Sequence, residues 1–367
     1  MSEKLRARLE AVPLDAGAEA RAWALVRAAH AERAPRRRRA PLRALPVAAV
    51  VAAAAVAGTL SSPGRAVVEA VGRSLGIERA APALVRLPAP GRLLVSGRGG
   101  AWVIAADGSR RRLGSFSGAA WSPHALYLAA AGPGGLSALE PDGTVRWALE
   151  RPSPSLPAWG GTRTDTRIAY LSRGRLHVVA GDGSGDRTLG AAAPVRPAWR
   201  PTRPGAFVLA WVTASGHVVA GRPGSPGLWH SSAHTPRPTA LAWSPDGRTL
   251  AVATPQQLFL FDGRTGVSVG VALPGIRALA YAPDGRLAVV RGRSIQLVGR
   301  DGARSTLFSA PGCLAGLAWS PDGRWLLTAS PAADQWLFVG PRRVFAVSGI
   351  RARLGGAVRL DGWAPGA

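Results

Sequence analysis

An all-β fold is predicted for this chain: a seven-bladed β-propeller in which the C-terminal strand completes the N-terminal blade. Three observations carry the prediction. The aromatic residues Trp121, Trp159, Trp199, Trp243, Tyr281, Trp319 and Trp363 follow one another at spacings of 38, 40, 44, 38, 38 and 44 residues. A period near 40 with strand-like content is that of propeller blades. Each period is also built alike. In the unit that starts at Thr239, "TALAWS" reads as a strand, Pro245-Asp246-Gly247 as a turn, "RTLAVAT" and "QQLFLFD" as strands, Gly263 to Gly266 as a turn, and "VSVGVAL" as a fourth strand. β-branched and large apolar residues fill the runs, and Gly, Pro and Asp punctuate them. Finally, the two ends of the periodic region are complementary fragments. "GRLLVSG" from Gly91, "AWVIAAD" from Ala101 and "RRRLGSF" from Arg110 are three strands without a first, and "AVRLDGWAPG" from Ala357 is a first strand without the other three. Placed end to end they rebuild the phrase that stands at Ala318 as "AWSPDGRWLLTA". A ring closed this way leaves no open blade interface.

The chain ahead of the ring is of another kind, and the expected organisation has four parts. Residues 1–43 form a basic, helical cytoplasmic segment, in which Asp15 can cap a helix and Ala22, Leu25, Val26 and Ala29 make an apolar stripe. Residues 44–60, "ALPVAAVVAAAAVAGTL", carry no charge and sit at the lower length limit for a transmembrane helix, about 17 residues. Arg36 to Arg39 and Arg43 precede this run, which places the N-terminus in the cytoplasm and the rest outside. A cleaved signal, with "AVA" at Ala55 to Ala57 as the cutting point, and a buried core helix are the alternatives. Residues 61–87 are expected as a juxtamembrane helix running to about Ile77, then a Pro-rich linker. Residues 88–367 are the propeller.

The repeated Trp-Ser-Pro-Asp-Gly phrase, at Trp243 and Trp319, resembles the repeats of TolB-type propellers and, more loosely, WD-repeat propellers. The Gly-His pair of the WD pattern is missing, and Phe261-Asp262 stands where its Trp-Asp would be. "LSALEPDGTVRW", Leu136 to Trp147, resembles the blade motif of quinone-type propellers. That resemblance implies acidic metal ligands and often a vicinal disulfide, and with Cys313 as the only cysteine no such site is seen. What the family resemblance implies is a scaffold or binding surface, since propellers host many activities. With the Arg-for-Lys bias (Lys4 is the only lysine) and the lack of Asn, it suggests a membrane-anchored bacterial protein from a high-GC, actinobacterial genome.

The formal net charge is +25. Such a surface attracts polyanions. A nucleic-acid binder, however, gathers its charge in one stripe with interleaved aromatics, whereas Arg here is scattered through nearly every repeat. One cysteine permits neither an intramolecular disulfide nor a Cys-rich zinc site.

No residue is assigned as catalytic, cofactor-binding or metal-binding. His230 and His234 have metal-like spacing, but they fall on an outer strand running into a loop, with no third ligand evident. "GDGSGD", Gly181 to Asp186, occupies the hairpin position of Asp107-Gly108, Asp142-Gly143 and Asp301-Gly302 and reads as a turn. Asp246, Asp284 and Asp322 read as turn acids likewise. Gly72-Arg73-Ser74-Leu75-Gly76 matches G-x-S-x-G without the strand, Asp and His that a nucleophile elbow needs.

The expected function is therefore a non-enzymatic binding, scaffold or sensor module with no cofactor, anchored in the cell membrane by a single span with the propeller extracytoplasmic. Its partner at the propeller face is a protein or an anionic wall polymer, and residues 15–33 have a possible cytoplasmic protein partner. A transmembrane signalling regulator resembling anti-sigma proteins in architecture, and a propeller-type lyase or hydrolase, are the competing readings.

Overall fold

The computed structural model describes residues 77–81, 86–162, 164–201, 207–225 and 227–366. The chain divides into two units, Met1–Val47 and Ala48–Ala367. The expected helix over 15–33, the span 44–60 and most of the helix after it lie outside the described residues. Among the described residues no helix is long and apolar enough to cross a membrane.

The second unit is a ring of seven sheets, each with four antiparallel strands. The chain enters through β1 (Ile77–Ala81) and then forms β2 (Arg92–Gly97), β3 (Gly100–Ile104) and β4 (Arg110–Gly114). Blade 2 follows as β5 (Gly118–Trp121), β6 (Leu128–Gly132), β7 (Gly135–Leu139) and β8 (Val145–Leu149). Blade 3 is β9 (Pro154–Gly161), β10 (Thr166–Ser172), β11 (Arg175–Ala180) and β12 (Arg187–Ala191). Blade 4 is β13 (Ala198–Trp199), β14 (Leu209–Val212), β15 (His217–Gly221) and β16 (Gly227–His234). Blade 5 is β17 (Ala240–Trp243), β18 (Thr249–Ala253), β19 (Gln257–Asp262) and β20 (Ser268–Ala272). Blade 6 is β21 (Ile276–Tyr281), β22 (Leu287–Arg291), β23 (Ser294–Val298) and β24 (Arg304–Ser309). Blade 7 is β25 (Ala315–Trp319), β26 (Leu326–Ser330), β27 (Gln335–Val339) and β28 (Val344–Ser348). A short helix, α1 (Ile350–Leu354), leads to β29 (Val358–Ala364).

Ring closure is as expected. The first sheet runs β29-β2-β3-β4, with Leu93 opposite Trp363 and Gly97 opposite Val358. The register skips Asp361: Leu94 pairs with Gly362 and Val95 with Leu360. This is a β-bulge, a device that re-aims a side chain. One feature differs from expectation. From Ile77, where a linker is expected after the helix, the chain forms a strand: β1 adds a fifth, parallel strand to blade 7, pairing Ile77 with Val344 and Ala81 with Val347.

The core is a set of seams between neighbouring blades. Successive side chains of a strand point to opposite faces, so the second strand of each blade feeds two seams at once. Leu93 and Val95 pack toward blade 7, and Leu94 toward blade 2. Ala130 faces blade 1, and Ala129 and Ala131 face blade 3. Both faces being buried, these strands read as unbroken apolar runs instead of alternating ones. Near the axis, where the sheets converge, the innermost strands carry Ala119, Ala158, Ala198, Ala242, Ala280 and Ala318.

The anchor aromatics stand at or near the ends of the innermost strands, and three of them bond the preceding blade. Trp199 Nε1 donates to the Ala158 carbonyl at 3.0 Å, Trp243 to Ala198 at 3.1 Å and Trp319 to Ala280 at 3.1 Å. Each acceptor precedes the anchor of its own blade, so the bond repeats in register. The turn phrase has its own chemistry. Ser244 and Ser320 hydroxyls donate to Asp246 and Asp322 at 2.6 and 2.5 Å, and accept the N–H groups of Thr249 and Trp325. Gly247 and Gly323 take φ of 65° and 67°, which a side chain would strain.

Candidate interaction surfaces

Antiparallel blades have two loop faces. One carries the turns that join first to second and third to fourth strands. The other carries the turns between second and third strands and the connections between blades. On the first, the turn face, stands every exposed aspartate among the described residues, Asp142, Asp182, Asp262 and Asp301 among them. These accept backbone N–H groups two residues on: Thr144, Ser184, Arg264 and Ala303 at 2.8 to 3.0 Å. Hydrogen bonds from the residues that follow hold Asp107, Asp142, Asp182 and Asp262 below the usual carboxylate range. Asp246 is depressed furthest, first by the Ser244 hydroxyl. The expected turn role is what the geometry gives these acids, Asp182 included. Asp186, at the end of the same Gly-Asp-Gly-Ser-Gly-Asp stretch, departs from it and binds Arg151 instead.

The second, the connection face, is basic. Arg98, Arg173, Arg175, Arg237, Arg293 and Arg351 are exposed there, while its acids among the described residues are Glu150 and the half-buried Asp334. Asp334 is already engaged, accepting the Arg351 N–H at 3.0 Å. Strand direction thus sorts the aspartates onto the turn face and leaves the connection face nearly free of acids, while exposed arginines such as Arg248, Arg264, Arg300 and Arg324 stand on the turn face as well.

At the centre of the ring, the side chain of the bulged Asp361 is fully buried. Its carboxylate accepts from the Ser96 hydroxyl, from Arg196 Nη2 at 2.6 Å and from Arg359 Nε at 3.1 Å. Arg196 comes from the lead-in to β13, and also donates to the Ala119 carbonyl of blade 2 at 3.1 Å. One guanidinium therefore links blades 1, 2 and 4 across the axis. Arg277, at the start of β21, is exposed at the same end of the ring.

A second buried knot lies in the seam between blades 2 and 3. Asp186 accepts from Arg151 Nε at 2.8 Å and from the Tyr170 hydroxyl at 2.9 Å. His177 Nδ1 lies 3.7 Å from the same carboxylate, with its ring stacked on Tyr170. Burial, reinforced by Asp186, pushes the Tyr170 phenol far above its ordinary range, and burial draws His177 down. Every polar group here is used to tie the seam. Sequence reasoning missed both knots, because neither is marked by local spacing: Arg196 and Asp361 are 165 residues apart.

His230 and His234 are exposed on the outer strand β16, as expected. Among the described residues no three His, Cys, Asp or Glu side chains gather as a metal site would require, and Cys313 is free and exposed.

Comparison with known proteins agrees on the fold. The WD domain, G-beta repeat family matches residues 305–339, a stretch that takes in β24 nearly whole and then β25, β26 and β27. The matched unit is staggered by one strand against the blade, as ring closure by a last single strand requires. No curated protein matches the chain. Among solved structures, Kluyveromyces lactis Hsv2 with loop 6CD replaced by a Gly-Ser linker superposes with a TM-score of 0.52, at 12% identity over 70% of this chain and 93% of that one. A chain of a mitotic checkpoint complex gives a TM-score of 0.49, at 18% identity over 60% and 74%. The chain folds as a seven-bladed β-propeller, one stretch of which matches the WD repeat model.

Proposed function

We propose that the chain is a membrane-anchored, non-enzymatic scaffold whose basic connection face docks an anionic partner, a protein or a wall polymer, outside the cytoplasm. The near absence of acids beside the exposed arginines of that face carries the reading. Complementary charge steers encounter and fixes register more than it adds affinity. The arginine cluster ahead of the uncharged run 44–60 supports an uncut anchor with the propeller outside. The apolar stripe of residues 15–33 supports a second contact, with a cytoplasmic protein, which would make the chain a signalling regulator.

Two measurements test this. Alkaline phosphatase fused after Ala367 is expected to be active; an inactive phosphatase together with a fluorescent cytoplasmic reporter places the propeller inside and overturns the topology. A photo-crosslinking residue at Arg173 in full-length protein in its own membranes is expected to trap one partner, and Arg98→Glu with Arg293→Glu to suppress it. Equal trapping from Asp142 on the turn face, insensitive to those charges, contradicts the docking face.

A further inference from the structure

Blade 6 breaks the repeat at its anchor. Where the other blades place a tryptophan, it has Tyr281. Four of the other anchors make one or both of two contacts, and Trp243 and Trp319 make both. The indole of Trp199, Trp243 and Trp319 reaches the preceding blade. A guanidinium also lies over the ring of Trp121, Trp243 and Trp319, at 4.8 to 5.4 Å: Arg92, Arg200 and Arg286. Tyr281 has no indole to donate, and among the described residues no guanidinium covers it. A cleft of about 480 Å³ stands there, lined by Leu260 of blade 5 and by Tyr281, Leu297, Asp284, Arg286, Arg300 and Arg304 of blade 6, with the Asp284 carboxylate held by Arg286. That volume is in the range that binds ligands, roughly 300–1,000 Å³.

We infer that this cleft docks an acidic peptide segment of a partner, one apolar side chain entering over Leu260 and Tyr281 while flanking carboxylates meet Arg300 and Arg304. The inference rests on the scaffold reading and adds a second site, on the opposite face. The floor is apolar, so the occupant must present an apolar group. The rim is cationic and available. Arg300 pairs with Asp246 at 2.5 Å, but both side chains are well exposed, at 63% and 40%, and exposed pairs are easily exchanged. Arg304 holds only the Ala272 carbonyl, at 3.2 Å. Arg286 is committed to Asp284 and to the Gly323 carbonyl, each at 2.7 Å. An anionic bilayer or long polyanion is disfavoured, because exposed aspartates, Asp262, Asp301 and Asp322 among them, stand on the same face. A short peptide touches the rim alone.

The test is fluorescence anisotropy of the full-length protein in detergent with a fluorescein-labelled Glu-Glu-Leu-Phe-Glu-Glu peptide. Binding is expected to fall at least about tenfold with Gln in place of Glu in the peptide, with Ala in place of its Leu-Phe pair, and in the Arg300→Glu/Arg304→Glu variant. Tyr281→Trp is expected to fill the cleft, raise the melting temperature and abolish binding. Unchanged binding by Tyr281→Trp, equal binding of the Gln peptide, or displacement of the peptide by inorganic phosphate or phosphatidylglycerol vesicles overturns the inference. Should Tyr281→Trp fail to fold, the arginine variant, altered only at the surface, decides. Crosslinking from Arg173 reads the scaffold separately: peptide binding lost with that crosslink retained removes this site alone.

Discussion

Six of the seven seams between blades are of two kinds, the seam at Tyr281 standing apart. From blade 3 to 4, from 4 to 5 and from 6 to 7, the anchor indole donates to the preceding blade. Around the closing blade it does not: the buried indole N–H groups of Trp363, Trp121 and Trp159 have no partner. A lost hydrogen bond in a buried seam is costly, yet these seams hold. What they have instead is area and charge. Trp363 packs edge-on against Phe338 with ring centroids 5.7 Å apart, and the buried Asp361 ties β29 to Ser96, Arg196 and Arg359. The repeat specifies the shape of a seam, and different polar devices then pin it.

Breaking the contrast most severely means removing the closing strand. Deletion of Ala357 to Ala367 strips β2 of its ladder partner and Trp363 from its seam. Losing one large buried aromatic costs about 3–5 kcal/mol, against a typical domain stability of ~5–15 kcal/mol. The truncated protein is expected to aggregate or to melt at a much lower temperature; melting within a degree or two of the intact chain contradicts closure.

Asp361→Ala is next in size. It leaves Arg196 and Arg359 without their buried carboxylate, and breaking such a pair costs about 3–5 kcal/mol. Chemical denaturation measures it. Arg196→Ala together with Asp361→Ala is expected to cost clearly less than the sum of the single changes; simple additivity means the two groups are not coupled.

The sharpest form of the comparison is small. Trp199→Phe removes a made hydrogen bond and Trp159→Phe removes an unmade one. With similar loss of ring area, the first is expected to be more destabilising by about 1 kcal/mol. Equal losses erase the distinction between the two kinds of seam.

Smaller still is the effect of acid. The turn aspartates are held below their ordinary value, about 3.9, first by hydrogen bonds from the following residues at Asp107, Asp142 and Asp262. Below that value the unfolded chain takes up protons before the folded one, so their contribution, complete above pH ~4, drains away as pH falls further. Melting temperature against pH checks this: a flat profile from pH 5 to 2 contradicts it, and Asp246→Asn is expected to shallow the slope.

Much of this was legible in the sequence, and the limit was physical. The anchors, the four-strand grammar and the split phrase at Gly91 and Ala357 are local patterns with a fixed period, and they gave seven blades and their closure. The Ser-Pro-Asp-Gly turns were legible because their bonds span only a few residues. Asp361 was not, since its Asp-Gly looks like any other turn and its partners Ser96 and Arg196 are 265 and 165 residues away. Asp186 was read as one more turn acid for the same reason, though it binds Arg151 from another blade. The basic face was legible in principle. Arg98, Arg173 and Arg293 all fall between second and third strands, a regularity that appears only when residues are sorted by loop type rather than by position. The cleft follows from Tyr281, whose departure from Trp was visible but whose consequence depends on the packing of Leu260 and Leu297.

The closed ring is tested most directly by amide hydrogen exchange compared between β29 and β25, the innermost strands of blades 1 and 7. The account predicts that the amides of Leu360 and Trp363 are protected like those of Ala318 and Trp319, exchanging only when the whole propeller opens. Exchange of Val358 to Ala364 at the rate of an unstructured tail, with β25 still protected, would contradict it.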